Sequence, residues 1–187
     1  MLIDNTILNS FIKEADNLKP HQQRVIDKLH KQDAMLVYHA TGSGKTMLGL
    51  SAANQLGMQA TVIGPASLRN NFKKEKYKHH ITANVKSYTY NKPPENVTPK
   101  ELLIFDEAQR MGNLNTQRSH LVDTLHGGKT MLLSATPIKN SPSDIIPIAR
   151  GLGINFPRDK EGFNKQFIEN KTVKPGQVLF TNKADID

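Results

Sequence analysis

The sequence predicts an α/β fold: a central, mainly parallel sheet with helices on both faces. Three observations predict it. Short apolar runs alternate with amphipathic stretches, the first clear run opens into a glycine-rich turn followed by a helical pattern, and no repeat or low-complexity tract interrupts the alternation. Strands separated by helix-length segments imply crossover connections, and crossovers leave strands parallel and covered on both sides.

The elements follow in order. Residues 1–17 read as an N-terminal arm, with Leu2, Ile3, Ile7, Leu8, Phe11 and Ile12 at partly helical spacing and expected to pack on the main body. Ala34–His39 reads as a buried strand, and Lys45–Leu56 as a helix that Gly57 stops. Ala60–Gly64 is the next strand, and a helix starts at Pro65 and runs to about Lys78. A short strand at Val85–Tyr90 precedes the loop Asn91–Pro99, whose three prolines exclude regular structure. Glu101–Phe105 and Thr130–Ser134 are strand-like and flank a helix near Thr116–His126. The main body is expected over residues 18–157, and 158–187 read as a tail or the start of a linker.

Composition narrows the chemistry. The 187 residues include no cysteine, which excludes disulfides, thiolate zinc sites, iron–sulfur clusters and cysteine nucleophiles. The seven histidines show no metal-ligand spacing. Apolar runs such as Leu102–Phe105 and Met131–Leu133 are far shorter than the roughly 20 residues of a membrane span. The N-terminus has no basic cluster before an apolar stretch, so it does not read as a signal peptide. The expected location is therefore intracellular: cytoplasm, or nucleus if the source is eukaryotic or viral. The net charge of +8 is concentrated, because residues 61–100 hold 8 basic and 2 acidic residues. A basic block in an otherwise balanced chain suggests a polyanion such as nucleic acid, with a solvated lysine-rich helix face as the plainer reading.

His39-Ala-Thr-Gly-Ser-Gly-Lys-Thr46 lies between a strand and a helix, the context a phosphate loop requires. Backbone N–H groups of Thr41, Gly42, Ser43 and Gly44 would face phosphate oxygens, aided by the helix dipole. Lys45 would reach the β- and γ-phosphates of ATP, and the Thr46 hydroxyl would take Mg²⁺. His39 stands where the general pattern has glycine. Leu102–Phe105 ends in Asp106-Glu107, a strand-end acid suited to Mg²⁺ followed by one that would orient or deprotonate the attacking water.

Asp106-Glu-Ala-Gln109, with Ser134-Ala-Thr-Pro137 after the next strand, resembles the first RecA-like lobe of helicase superfamily two. The spelling is similar to that of Swi/Snf-type (DEAD/DEAH-box-like) DNA translocases and viral helicase-like ATPases. Leu18-Lys-Pro-His-Gln-Gln23 resembles the segment in which a glutamine contacts adenine; Gln22 matches that position, with Gln23 as its neighbour. Val62–Phe72 and Ser87–Tyr90 resemble motifs that touch the nucleic-acid backbone, which implies contacts by Pro65, Ser67, Arg69, Asn70, Lys73 and Tyr90. Ser134–Asn140 resembles the motif coupling ATP to strand contact, which implies a coupling role for Gln109, Ser134 and Thr136. Gln109 stands where histidine or aspartate is commoner.

The resemblance covers about residues 18–150 and implies a nucleic-acid-dependent ATP hydrolase, a helicase or a translocase on double-stranded DNA, with RNA as the other candidate strand. Such motors close two lobes on ATP, and the second supplies an arginine. Residues 141–187 are too few for a second lobe of about 150 residues, so one is expected in cis or in trans. The alternative reading is a regulatory module that binds ATP and nucleic acid without hydrolysis.

Overall fold

The computed structural model describes residues 18–168 apart from Thr41 and Asn115, and gives the backbone alone for residues 69–71 and 73. The N-terminal arm expected over residues 1–17 lies outside the described residues. Among the described residues the α-helices and strands number eleven. They are α1 (Pro20–Lys31), β1 (Ala34–Tyr38), α2 (Lys45–Gln55), β2 (Gln59–Gly64), α3 (Arg69–Lys78), β3 (Val85–Thr89), β4 (Glu101–Asp106), α4 (Leu121–Thr124), β5 (Lys129–Ser134), α5 (Ile146–Gly151) and α6 (Lys160–Phe167).

The five strands form one sheet in the order β1-β5-β4-β2-β3, parallel throughout. Side-chain alternation along each strand builds two cores. Leu102 and Ile104 of β4, with Met131 and Leu133 of β5, meet Ile26 and Leu29 of α1 and Leu48, Ala52 and Ala53 of α2. Leu103, Phe105 and Leu132 point to the other face, against Met111, Leu121, Val122 and Ile148. Full burial of each such side chain contributes about 1.5–3 kcal/mol, so β4, with Leu102, Leu103, Ile104 and Phe105 all buried, is the anchor of the sheet.

The register sets Tyr38 opposite Ser134, Asp106 opposite Leu133, and Gly64 opposite Thr89. The carboxyl ends of all five strands thus finish together, the edge at which open parallel sheets hold ligands. No helix among the described residues is long and apolar enough to cross a membrane.

Helices α1 and α5 are additions to the elements read from the sequence, and the structure differs from that reading in two further places. The helix expected near Thr116–His126 is a tight 3₁₀ turn over Gln117–His120 followed by the single turn α4. Ser119 explains the break: its hydroxyl donates to the carbonyls of Leu114 and Thr116 (3.1 and 2.7 Å), a local alternative to the helical ladder. The segment from residue 158, expected as a tail or the start of a linker, opens with α6, whose start is capped by Asp159 accepting from the Gly162 N–H at 2.7 Å. Its Phe163 and Phe167 close a three-ring cluster with Phe156, with centroids 5.0–5.9 Å apart.

Candidate functional site

The loop leaving β1 is shaped by backbone conformations that suit glycine. Gly42 and Gly44 have φ of +75° and +77°, where an L side chain is strained. Gly44 is also the residue from which α2 starts, so the left-handed step aims the free N–H groups of the helix N-terminus into the loop. Lys45 is buried, and its Nζ donates to the carbonyls of His39 and Ala40, both at 2.9 Å. Thr41 lies outside the described residues; Ser43 is half-buried in the turn.

Gln22 braces this loop from α1. Its side-chain carbonyl accepts from the Lys19 N–H at 2.9 Å, and its amide nitrogen donates to the Ser43 carbonyl at 3.1 Å. It is 2% exposed, whereas Gln23 is turned to Asp27 and Gln55. The His39 ring stands edge-on to His21 at 5.5 Å. Burial, then the neighbouring His21 and Lys45 charges, hold the His39 imidazole below its ordinary pKa, so it favours the neutral form.

Sixty residues beyond Thr46 in sequence, Asp106 arrives from the end of β4, and the Thr46 hydroxyl donates to its Oδ2 at 3.2 Å. Burial pushes the Asp106 carboxyl above the usual carboxylate range; the Thr46 hydrogen bond opposes this and the adjacent Glu107 charge reinforces it. A hydroxyl and a carboxylate facing each other are hard oxygen donors. Among the described residues no group of three or more acidic, histidine or cysteine side chains forms a metal cage. That set fits Mg²⁺, which keeps waters and substrate phosphates and takes only one or two protein oxygens.

Glu107 occupies the left-handed region at φ +56°, an uncommon place for a side chain and one that concentrates at functional sites. The turn brings its own N–H back to Asp106 Oδ1 at 2.9 Å. Its carboxylate accepts from the Gln109 amide, the Gln109 carbonyl accepts from the Ser134 hydroxyl at 2.6 Å, and Ser134 Oγ accepts from the Thr136 N–H at 3.1 Å. The end of β4 is thereby joined to the loop after β5 by one continuous chain of polar contacts. A primary amide offers a donor and an acceptor at once, so Gln109 makes both contacts without any change of protonation.

The other expected contacts are less gathered. Pro65 and Ser67 follow β2 at the same sheet edge, Ser67 exposed, and Arg69, Asn70 and Lys73 lie on α3, their side chains outside the description. Tyr90 is a correction. It was expected to meet nucleic acid, but its ring is buried and its hydroxyl donates to the Asp106 carbonyl at 2.9 Å. Burial, reinforced by the Asp106 charge, drives its pKa well above the ordinary value, so it remains a neutral donor holding the acid-bearing turn.

Sequence reasoning missed Asp144. Its Oδ2 accepts from the N–H groups of Lys139, Asn140 and Ser141 at 3.1, 2.7 and 3.2 Å, fixing the loop after β5. The signal was present: Ser141-Pro-Ser-Asp144 is a capping-box spelling.

The description of a known family, the SNF2-related domain, matches residues 23–181. The chain is 27% identical over 168 residues to the "Putative ATP-dependent RNA helicase L538" of Acanthamoeba polyphaga mimivirus, covering 83% of this chain and 37% of that protein. It is 26% identical over 210 residues to the early transcription factor 70 kDa subunit of Fowlpox virus (strain NVSL), covering 95% of this chain and 32% of that protein. The chain thus spans about a third of the length of these curated relatives. Among solved structures, the Sulfolobus solfataricus SWI2/SNF2 ATPase core in complex with dsDNA superposes with a TM-score of 0.66 at 20% identity, over 81% of this chain and 39% of that one. The Sulfolobus solfataricus SWI2/SNF2 ATPase core domain gives a TM-score of 0.62, again at 20% identity, over 81% and 38% of the two chains. At that identity the likeness establishes the fold, a RecA-like ATPase-core sheet with helices on both faces.

Proposed function

The chain belongs to the SNF2-related domain family, and from that premise we propose that it is the ATP-binding and hydrolysing lobe of a nucleic-acid-dependent ATPase, a helicase or a translocase on double-stranded DNA. The observation that carries this reading is the continuous path Thr46–Asp106–Glu107–Gln109–Ser134. A pure nucleotide-binding switch needs the phosphate loop, but has no use for a water-aligning acid tied to a second strand end.

In this reading Lys45 exchanges the His39 and Ala40 carbonyls for β- and γ-phosphate oxygens, while the loop N–H groups of Thr41–Gly44 cradle the phosphates. Thr46 and Asp106 would hold Mg²⁺, which supplies charge neutralisation on the β- and γ-oxygens when bound. Glu107 orients the attacking water and takes its proton. Gln22 positions the loop and is the residue proposed to meet adenine. Gln109, Ser134 and Thr136 carry the state of the site to the loop after β5. Pro65, Ser67 and the start of α3, with Arg69, Asn70 and Lys73, hold the strand through its phosphates, a contact that carries no base sequence.

A second RecA-like lobe completes the site with an arginine. The test is Glu107→Gln in the motor assembled with its second lobe. Nucleic-acid-stimulated hydrolysis should fall by about 10²-fold or more while ATP binding persists, as expected for loss of a positioned base. Unchanged hydrolysis would overturn the assignment. A wild-type motor that binds ATP and strand yet never turns over would instead favour the regulatory-module reading.

A further inference from the structure

We propose that the pocket behind Gln109 is a second binding site for the phosphate backbone of nucleic acid, separate from the β2–α3 contact. The inference rests on the nucleic-acid-dependent reading above. The pocket has a volume of about 400 Å³ and lies between the turn after β4, the loop after β5 and the start of α6.

Three cations line it from those three segments: Arg110, Lys139 and Lys160. All three are exposed, and none is ion-paired among the described residues. The one acid in the lining, Asp144, is a single carboxylate against three cations, and one of its oxygens is taken up by three backbone N–H groups of the adjoining loop, so the pocket keeps an excess of positive charge. Like charges brought to one concavity repel one another, and an anion seated among them reverses the sign of that cost.

The rest of the lining decides which anion. Asn140 and Ser143 add polar groups, and no aromatic ring contributes to the wall. A free nucleotide would find phosphate donors but no surface on which to stack its base. A phosphodiester backbone needs only the donors. Gln109 forms part of the same wall and touches Glu107 and Ser134, so a strand held here lies one amide from the water-aligning carboxylate.

The test uses the 187-residue chain, a fluorescein-labelled DNA duplex and an RNA single strand of the same length, with anisotropy followed across a salt series. Each lost phosphate contact lowers the slope of log K against log salt by roughly 0.9 on duplex and 0.7 on single strands. The double variant Lys139→Ala/Lys160→Ala should therefore lose between one and two units of slope. The control Lys28→Ala/Lys31→Ala, which removes the same charge from the exposed side of α1, should keep the wild-type slope. Affinity for a fluorescent ATP analogue should be equal in all three proteins. Equal slopes for wild type and the pocket variant, with both binding nucleic acid, would overturn the pocket and leave the broader function standing. Failure of the wild-type chain to bind either probe would overturn both.

Discussion

Gly44 has φ +77°, and a Cβ added there would lie 3.1 Å from the Gln22 amide nitrogen. Gly44→Ala therefore meets two costs, a left-handed backbone worth about 1–2 kcal/mol and displacement of the brace that holds the loop. The expected result is a modest loss of stability with a loss of ATP affinity of about tenfold or more, the equivalent of 1.4 kcal/mol, read by titration with a fluorescent ATP analogue. Tyr90 makes the opposite case at the same scale. Tyr90→Phe keeps the ring and removes only the hydroxyl that satisfies the Asp106 carbonyl. Losing that buried hydrogen bond should cost about 1 kcal/mol in urea unfolding. The salt slope of nucleic-acid binding should not change, because the ring is buried; a reduced slope would restore the strand-contact role.

At the scale of elements, the buried Glu101 at the start of β4 ties three segments together. Its carboxylate accepts from Thr61 of β2, from Lys86 of β3 at 3.2 Å and from Thr98 of the preceding loop at 3.2 Å. Burial alone would raise its pKa, but these hydrogen bonds and the Lys86 charge outweigh burial and hold it below the ordinary glutamate value. A pKa lower in the folded chain means the unfolded chain binds the proton first. The stabilisation is then complete above the unfolded value near 4.5 and fades as pH falls through the depressed folded value. Glu101→Gln should flatten that part of the acid unfolding curve and leave its neutral-pH slope unchanged. Helix α6 gives a second element-scale test: Phe163→Ala, from a 6% exposed ring, should cost about 3 kcal/mol. The contrast between these elements explains what the sequence could tell. Strands β1, β4 and β5 were legible because three to five consecutive apolar residues between turn signals have few other solutions, and β2 because Ala60, Val62 and Ile63 surround a single threonine ahead of Gly64. Lys45, Asp106 and Glu107 could be singled out because their spacing suits phosphate chemistry, and the fold brings Asp106 to the Thr46 hydroxyl. Helix α6 was not, since its apolar face is two rings spaced among polar residues, and the roles of Tyr90 and Asp144 depend on partners that only the folded register brings near.

For the whole molecule, the question is where the charge on a transferred phosphoryl group would be met. Two of the described arginines are held elsewhere, Arg118 donating to the Asn91 side chain at 3.1 and 2.6 Å and Arg150 pairing with Asp123, while Arg110 lines the pocket behind Gln109. Arg24 is exposed on α1 and Arg158 borders a cleft beside α4 and α5, away from the phosphate loop. Lys45 and the loop N–H groups can hold the ground state, yet among the described arginine side chains none contacts the phosphate loop to serve as the arginine that such reactions use, worth about 10³–10⁵ in rate. Steady-state turnover by the 187-residue chain should therefore be very slow, with or without duplex DNA, although the chain binds ATP. A second RecA-like lobe added in trans or fused in cis should raise turnover by about 10³-fold or more, and replacing that lobe's arginine should abolish the gain. Strong duplex-stimulated turnover by the lone chain, rising linearly with protein concentration, would mean that the arginine comes from within. A dependence on the square of concentration would mean that a second copy supplies it.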